Sequence, residues 1–186
     1  MKKIIQYIAT LFLIFHFIIF LTQDRLFPNW FELPISNSNG LVVDNEDNIY
    51  VDCGSYRRIQ VYNSSGKYLT SWKIPNFDGL YNLKYTDNKI IFNTYKIDSQ
   101  FVFDTNGKEI SRKKIDSVFY KTGGEFSSFI KGNSKFYFDG FIKKVKIKSN
   151  KNIITVINQN PIIQLLIVPY GFLFSMVVLL FSKYEG

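Results

Sequence analysis

Two stretches without a single charged side chain bracket this chain, Ile4–Leu21 and Ile162–Phe181. As helices rising about 1.5 Å per residue, each would cross a hydrocarbon layer of about 30 Å. No other feature constrains the fold as strongly, because it places both ends of the intervening polar segment at a membrane. The expectation is a transmembrane helix over 4–22, a folded domain over 31–158 and a second transmembrane helix over 162–181.

The flanking charges give an orientation. Lys2 and Lys3 precede the first stretch and Lys183 follows the second. Cationic residues beside a span favour the cytoplasmic side. A two-pass protein of the cell membrane is therefore expected, with both termini inside and the central domain extracytoplasmic. The first stretch exceeds a signal-peptide core of roughly 7–15 residues, and Phe20-Leu21-Thr22-Gln23-Asp24 offers no small-x-small cleavage site. An uncleaved anchor is expected. His16 lies inside that stretch with no charged residue in either stretch to pair with it, which points to a packed neutral imidazole rather than a proton relay. Pro161 fits a first helical turn, and Pro169 predicts a kink. Phe27, Trp30 and Phe31 suit a headgroup interface or, equally, the start of the domain core.

Single counts exclude much chemistry. Among 186 residues there is one cysteine, Cys53, and one histidine, His16. A disulfide framework within the chain is impossible. The central domain has no histidine, which removes Ser-His-Asp and Cys-His catalysis and His-ligated zinc. Ala9 is the only alanine, while Asn, Lys, Ile, Phe and Tyr abound, a bias that resembles an AT-rich bacterial genome.

The centre reads as β structure. Gly40–Asp44, Asn48–Asp52, Arg58–Tyr62 and Tyr68–Trp72 are short alternating runs separated by Asn, Asp, Ser and Gly. Such spacing predicts antiparallel meanders. Gly66 and Gly107 stand where a hairpin needs a positive φ. The pattern then recurs about 39–41 residues later, within the range of propeller blades. Asp87-Asn88 answers Asp47-Asn48, and Gln100–Asp104 answers Gln60–Asn63. A third, degraded copy has its turn at Lys131–Ser134, a strand at Phe136–Phe138 and a hairpin from Val145 to Lys151. The expected fold class is mainly β, with about three four-stranded antiparallel propeller-like blades between the two membrane helices.

Gly40–Leu69 resembles an NHL repeat, the blade unit of certain six-bladed β-propellers. Asp44, Asn48, Ile49, Tyr50, Val51, Arg58, Ile59, Gln60, Val61, Gly66 and Lys67 stand at matching places. The second copy is similar mainly through Asp87, Asn88, Phe103, Asp104, Gly107 and Lys108, and it lacks a counterpart of Arg58. The resemblance implies an interaction platform. Closed propellers need about 4–8 blades, so a chain with about three implies either an open stack of sheets or a homo-oligomer that completes a ring. Some propellers of this kind are metal-dependent lyases or hydrolases, but such sites need histidine, and the domain has none.

Asp44–Asn48 is the densest group of oxygen ligands. It lacks the spacing of a calcium loop, and Asp and Asn favour turns for local hydrogen-bonding reasons, so a turn is expected. Arg57 and Arg58 are candidate anion contacts, although Arg58 in this register is expected to brace the blade. Cys53 is expected to be a buried, unreactive thiol. Lys131, Lys135, Lys143, Lys144, Lys146, Lys148 and Lys151 make the end of the domain basic. Lys143, Lys144, Lys146 and Lys148 are the candidate contacts to an anionic lipid or wall polymer, against the plainer reading of lysines that keep an edge strand from pairing. A nucleic-acid ligand is not expected outside the cell. No catalytic, cofactor or metal site is expected. The role expected is a membrane-anchored, non-catalytic binding or scaffolding module with a protein partner. The alternative is a small accessory subunit of a membrane complex that docks through its helices.

Overall fold

The computed structural model describes residues 27–35, 38, 40–53, 56–75, 81–94, 98–115, 128–140, 143–149 and 152–159, with isolated positions between residues 4 and 18. The chain divides into two units, Met1–Pro28 with Gln159–Gly186, and Asn29–Asn158. In the first unit, Ile4, Tyr7, Leu11, Ile14 and Ile18 have helical backbone and are all exposed. No helix among the described residues is long and apolar enough to cross a membrane. His16, Gly79-Leu80, Phe141, Lys151, Pro161, Pro169 and the stretch 162–181 lie outside the described residues.

The second unit is mainly β. Its twelve described strands form three four-stranded antiparallel sheets, each an up-and-down meander. The first sheet is β1 (Leu41–Val43), β2 (Ile49–Cys53), β3 (Arg58–Tyr62) and β4 (Tyr68–Lys73). The second is β5 (Tyr81–Thr86), β6 (Lys89–Thr94), β7 (Ser99–Asp104) and β8 (Glu109–Lys114). The third is β9 (Ser128–Lys131), β10 (Ser134–Asp139), β11 (Lys144–Ser149) and β12 (Asn152–Ile157). The third, degraded copy therefore folds as the other two do.

One turn design recurs in the hairpins. Asp44 Oδ1 accepts from the amides of Glu46 (2.9 Å) and Asn48 (2.8 Å). Asn63 Oδ1 accepts from Ser65 (3.1 Å) and Lys67 (2.9 Å), and Asp104 Oδ1 from Asn106 (3.0 Å) and Lys108 (2.8 Å). The fourth residue of each turn has a positive φ: 65° at Asp47, 79° at Gly66 and 86° at Gly107. A short acceptor side chain thus satisfies the turn amides while a left-handed residue closes the hairpin. The Asp44 cluster is a turn, as its composition predicts. Asp44 is buried, and its other oxygen accepts from Asn48 Nδ2 and Tyr50 OH, both at 2.9 Å.

The sheets meet through their first strands: β1 lies beside both β5 and β9. This common centre is what makes the assembly propeller-like. The first sheet holds the middle place, and its strands β1, β2 and β3 are buried throughout. On one side its Val42, Tyr50, Ile59, Val61 and Trp72 form a core with Leu83, Ile90, Phe92, Phe101 and Phe103 of the second sheet. Trp72 packs edge-on to Tyr50 (5.9 Å) and tilted against Phe103 (6.4 Å). On its other face the extended segment after Asn29 crosses the sheet. Gln60 fastens that segment as a strand would, accepting from Leu33 N (2.5 Å) and donating to Leu33 O (2.8 Å).

Candidate anion-binding face

The third sheet differs from the others in what it presents outward. Side chains alternate across a strand, and residues paired in register share a face. Phe136 pairs with Ile147 and Phe129, and Phe138 with Val145, which makes the apolar face. Phe136 and Val145 are buried on it. The opposite face pairs Lys135 with Lys148, Tyr137 with Lys146 and Asp139 with Lys144. Ile130 stands opposite Lys135, and Ile153 opposite Lys148. Four lysines and one aspartate therefore occupy adjacent positions of one flat surface.

One of the four lysines is held by the aspartate. Lys146 Nζ meets Asp139 Oδ2 at 2.7 Å, and this bond to the carboxylate raises the lysine pKa above its ordinary value. Both groups are partly exposed, so solvent screens the pair and it adds little stability. Lys135 and Lys148, directly opposite one another on exposed backbone, repel. A sheet tolerates such a pair at modest cost in water, and an anion laid across it removes the repulsion.

The sequence candidates part company here. Lys144, Lys146 and Lys148 come together on the face. Lys143 does not: its Nζ donates to Ser38 O and sits 5.2 Å from the centre of the Phe138 ring, on the inner side. Burial pushes its pKa down, partly offset by the charge of Asp52. Lys143 is thus a clamp between the third sheet and the segment leading into β1. Lys131 is another clamp, donating to Asp44 O and Asp47 Oδ1, both at 2.6 Å. Arg58 is only 1 % exposed, and its Nη1 donates to Ser71 Oγ (3.1 Å) and Asn29 Oδ1 (3.2 Å). It braces the first sheet against the incoming segment, through an amide and a hydroxyl. Arg57, at φ 51°, occupies the β2–β3 turn, far in sequence from the lysine face. Lys135 belongs to the face although it sits on another strand from the main lysine run. The signal was the period of two: 144, 146 and 148 share a face with each other and not with 143.

Cys53 is buried, and burial together with the nearby Asp52 charge pushes its thiol far above the ordinary range. Gln60 Nε2 lies 3.0 Å from its Sγ. No group of three or more His, Cys, Asp or Glu side chains among the described residues could hold a metal ion.

No family model matches the chain, and no curated protein matches it. Several solved structures are similar over part of their length. A streptogramin B lyase shares 12 % identity at a TM-score of 0.39, with 71 % of this chain and 44 % of that one covered. A catalytically inactive virginiamycin B lyase from Staphylococcus aureus, solved with quinupristin, shares 11 % at 0.36, covering 66 % and 42 %. Hsv2 of Kluyveromyces lactis shares 16 % at 0.33, covering 67 % and 37 %. The chain spans less than half the length of each of these proteins.

Proposed function

We propose that this protein is a membrane-anchored, non-catalytic binding module whose third sheet engages an anionic surface on the extracytoplasmic side. One observation carries the reading: Lys135, Lys144, Lys146 and Lys148 share one face of a sheet, where Asp139 is the one acidic residue paired in register among the described strands. A concentration of like charge on a flat surface attracts polyanions and serves little purpose in holding a fold together. The anchoring rests on the two uncharged stretches. The absence of histidine from the central domain and the buried, protonated Cys53 support a non-catalytic role.

Two measurements test this. The full chain in mild detergent should bind a phosphorylated cation-exchange resin, and Lys144→Gln/Lys146→Gln/Lys148→Gln should elute at clearly lower salt. An unchanged elution position would refute the role of the face. An impermeant amine-reactive label on intact cells should modify the exposed Lys67 and Lys108; modification only after lysis would refute the outward orientation.

The two uncharged stretches also fit a second reading, a small accessory subunit of a membrane complex that docks through its helices. Replacing both stretches by unrelated apolar ones separates the two. Function survives if they only anchor and fails if they dock.

A further inference from the structure

The lysine face carries two features that a site for a soluble polyanion does not need. Ile130 and Ile153, on the two outermost strands of the sheet, are 68 % and 56 % exposed and stand in register beside Lys135 and Lys148. Tyr137 lies between them on the same face, opposite Lys146. Exposed aliphatic tips flanking lysines are costly in water. They suit a headgroup layer, where the aliphatic tip enters the acyl boundary, the lysine stem lies along apolar surface and its ammonium meets phosphate. A tyrosine with an apolar body and a polar tip belongs at the same level.

Resting on the anionic-surface reading above, we propose that the third sheet lies flat on an anionic bilayer surface, with Ile130 and Ile153 inserted between headgroups. A second copy is a poorer occupant. Completing a ring would oppose this face to the outer face of a second sheet, where Lys84 pairs with Ile91, and Lys113 with Gln100. Lysine would then meet lysine, and like charges at an interface disfavour association. Each lysine near an anionic bilayer strengthens binding about fivefold. Lys144 and Lys148, outside the Asp139 ion pair, then give a preference of about twenty-five-fold for anionic over zwitterionic lipid. Screening removes most of it near about 1 M salt.

The test uses the full chain in lipid nanodiscs, either purely phosphatidylcholine or containing phosphatidylglycerol, with acetylation rates read at each lysine by mass spectrometry. At about 0.1 M salt, Lys135 and Lys148 should be acetylated at least about fivefold more slowly in the anionic discs, and the difference should vanish at about 1 M. The exposed Lys67 and Lys108 on the other sheets should not change. Ile130→Ser with Ile153→Ser, at positions that support no core, should weaken the protection. Equal rates in the two lipids overturn the proposal. Protection in both lipids, with two copies per disc by mass, assigns the face to a second copy and also overturns it. Failure to co-elute with any disc refutes the anchoring instead. Docking is then read from sedimentation with vesicles, and a chain that ignores anionic vesicles overturns it.

Discussion

Gly107 offers a quantitative test of how the first two sheets interlock. It closes the β7–β8 turn at φ 86°, and a Cβ built there would lie 2.3 Å from Trp72 Cδ2 and 2.5 Å from Cγ. Trp72 cannot swing away, because it is 6 % exposed and wedged against Tyr50 and Phe103. Gly107→Ala therefore suffers twice. The left-handed backbone costs an L-residue about 1–2 kcal/mol, and forcing a methyl into a packed contact costs about 1–3 kcal/mol more. Gly132→Ala is the control: its φ is 56°, but no atom lies within 4 Å of its added Cβ. It should lose only the backbone term. In urea unfolding followed by tryptophan fluorescence, with a slope near 2 kcal/mol per molar, Gly107→Ala should lower the midpoint by about 1–2.5 M and Gly132→Ala by about 0.5–1 M. Gly66→Ala, whose Cβ would fall 1.8 Å from the Val156 carbonyl oxygen of the third sheet, should match or exceed Gly107→Ala. Equal shifts at Gly107 and Gly132 would show that the turn is not packed on Trp72 and would refute the interlock.

Gln60→Leu keeps the volume but deprives Leu33 N and O of their partner; it should cost about 2–4 kcal/mol and sharply quicken hydrogen exchange at the Leu33 amide. Lys131→Met removes a half-exposed ion pair and one bond to the Asp44 carbonyl; a loss above about 1.5 kcal/mol would contradict the weak contribution expected of such pairs. Burial raises the Cys53 thiol and the Tyr50, Tyr56 and Tyr62 hydroxyls above their ordinary 9.0 and 10.0, so the unfolded chain releases these protons first. The stability they contribute is fully present below about pH 9 and is lost as pH rises above it, more steeply past about pH 10. Denaturation at a series of alkaline pH values reads this, and Cys53 should react with a thiol reagent at pH 8 only once the chain is unfolded. A fast native-state reaction would refute its burial.

Local chemistry was legible in the sequence, and contact between sheets was not. Asp44, Asn63 and Asp104 announce their turns because the acceptor, the amides and the left-handed residue are all within five positions. The strands follow from alternation: β2 and β6 begin at Ile49 and Lys89, and β3 and β7 at Arg58 and Ser99, close to the repeat spacing. The third copy was harder to see. β9 and β12 are short of the buried positions that mark β2 and β3, since one side of that sheet has no neighbouring sheet among the described residues. The period of two separates Lys143 from Lys144, Lys146 and Lys148, but nothing local says which side turns inward. One neighbour turns inward to Ser38, which lies 105 positions away, and only the packing of the third sheet decides which. The role of Gln60 was hidden for the same reason, because its partner Leu33 lies 27 positions earlier in a segment without strand pattern.

The number of sheets looked like a deficit, because a ring needs more blades than this chain holds. The side chains on the two outer sheets suggest otherwise. A truncated ring would leave core-like apolar faces at its ends, and such faces demand a cover. The second sheet instead ends in Asn82, Asn93, Gln100 and Lys113, paired in register across its outer face, with Gln100 Nε2 donating to Asn93 Oδ1 at 2.8 Å. The third ends in its lysines. Only the first sheet is apolar on both faces, and it is the one placed in the middle, where the second sheet covers one side and the segment pinned by Gln60 crosses the other. Among the described residues, the sheets thus bury their main apolar faces against one another and against that segment. Closure would require removing charge from both ends. Lys135→Leu with Lys148→Leu on the third sheet and Lys84→Leu with Lys113→Leu on the second should drive the chain toward dimers or larger assemblies in mild detergent, whereas the unaltered chain should scatter light as a monomer. A ring already formed by the unaltered chain would show dimer mass at once and overturn the argument.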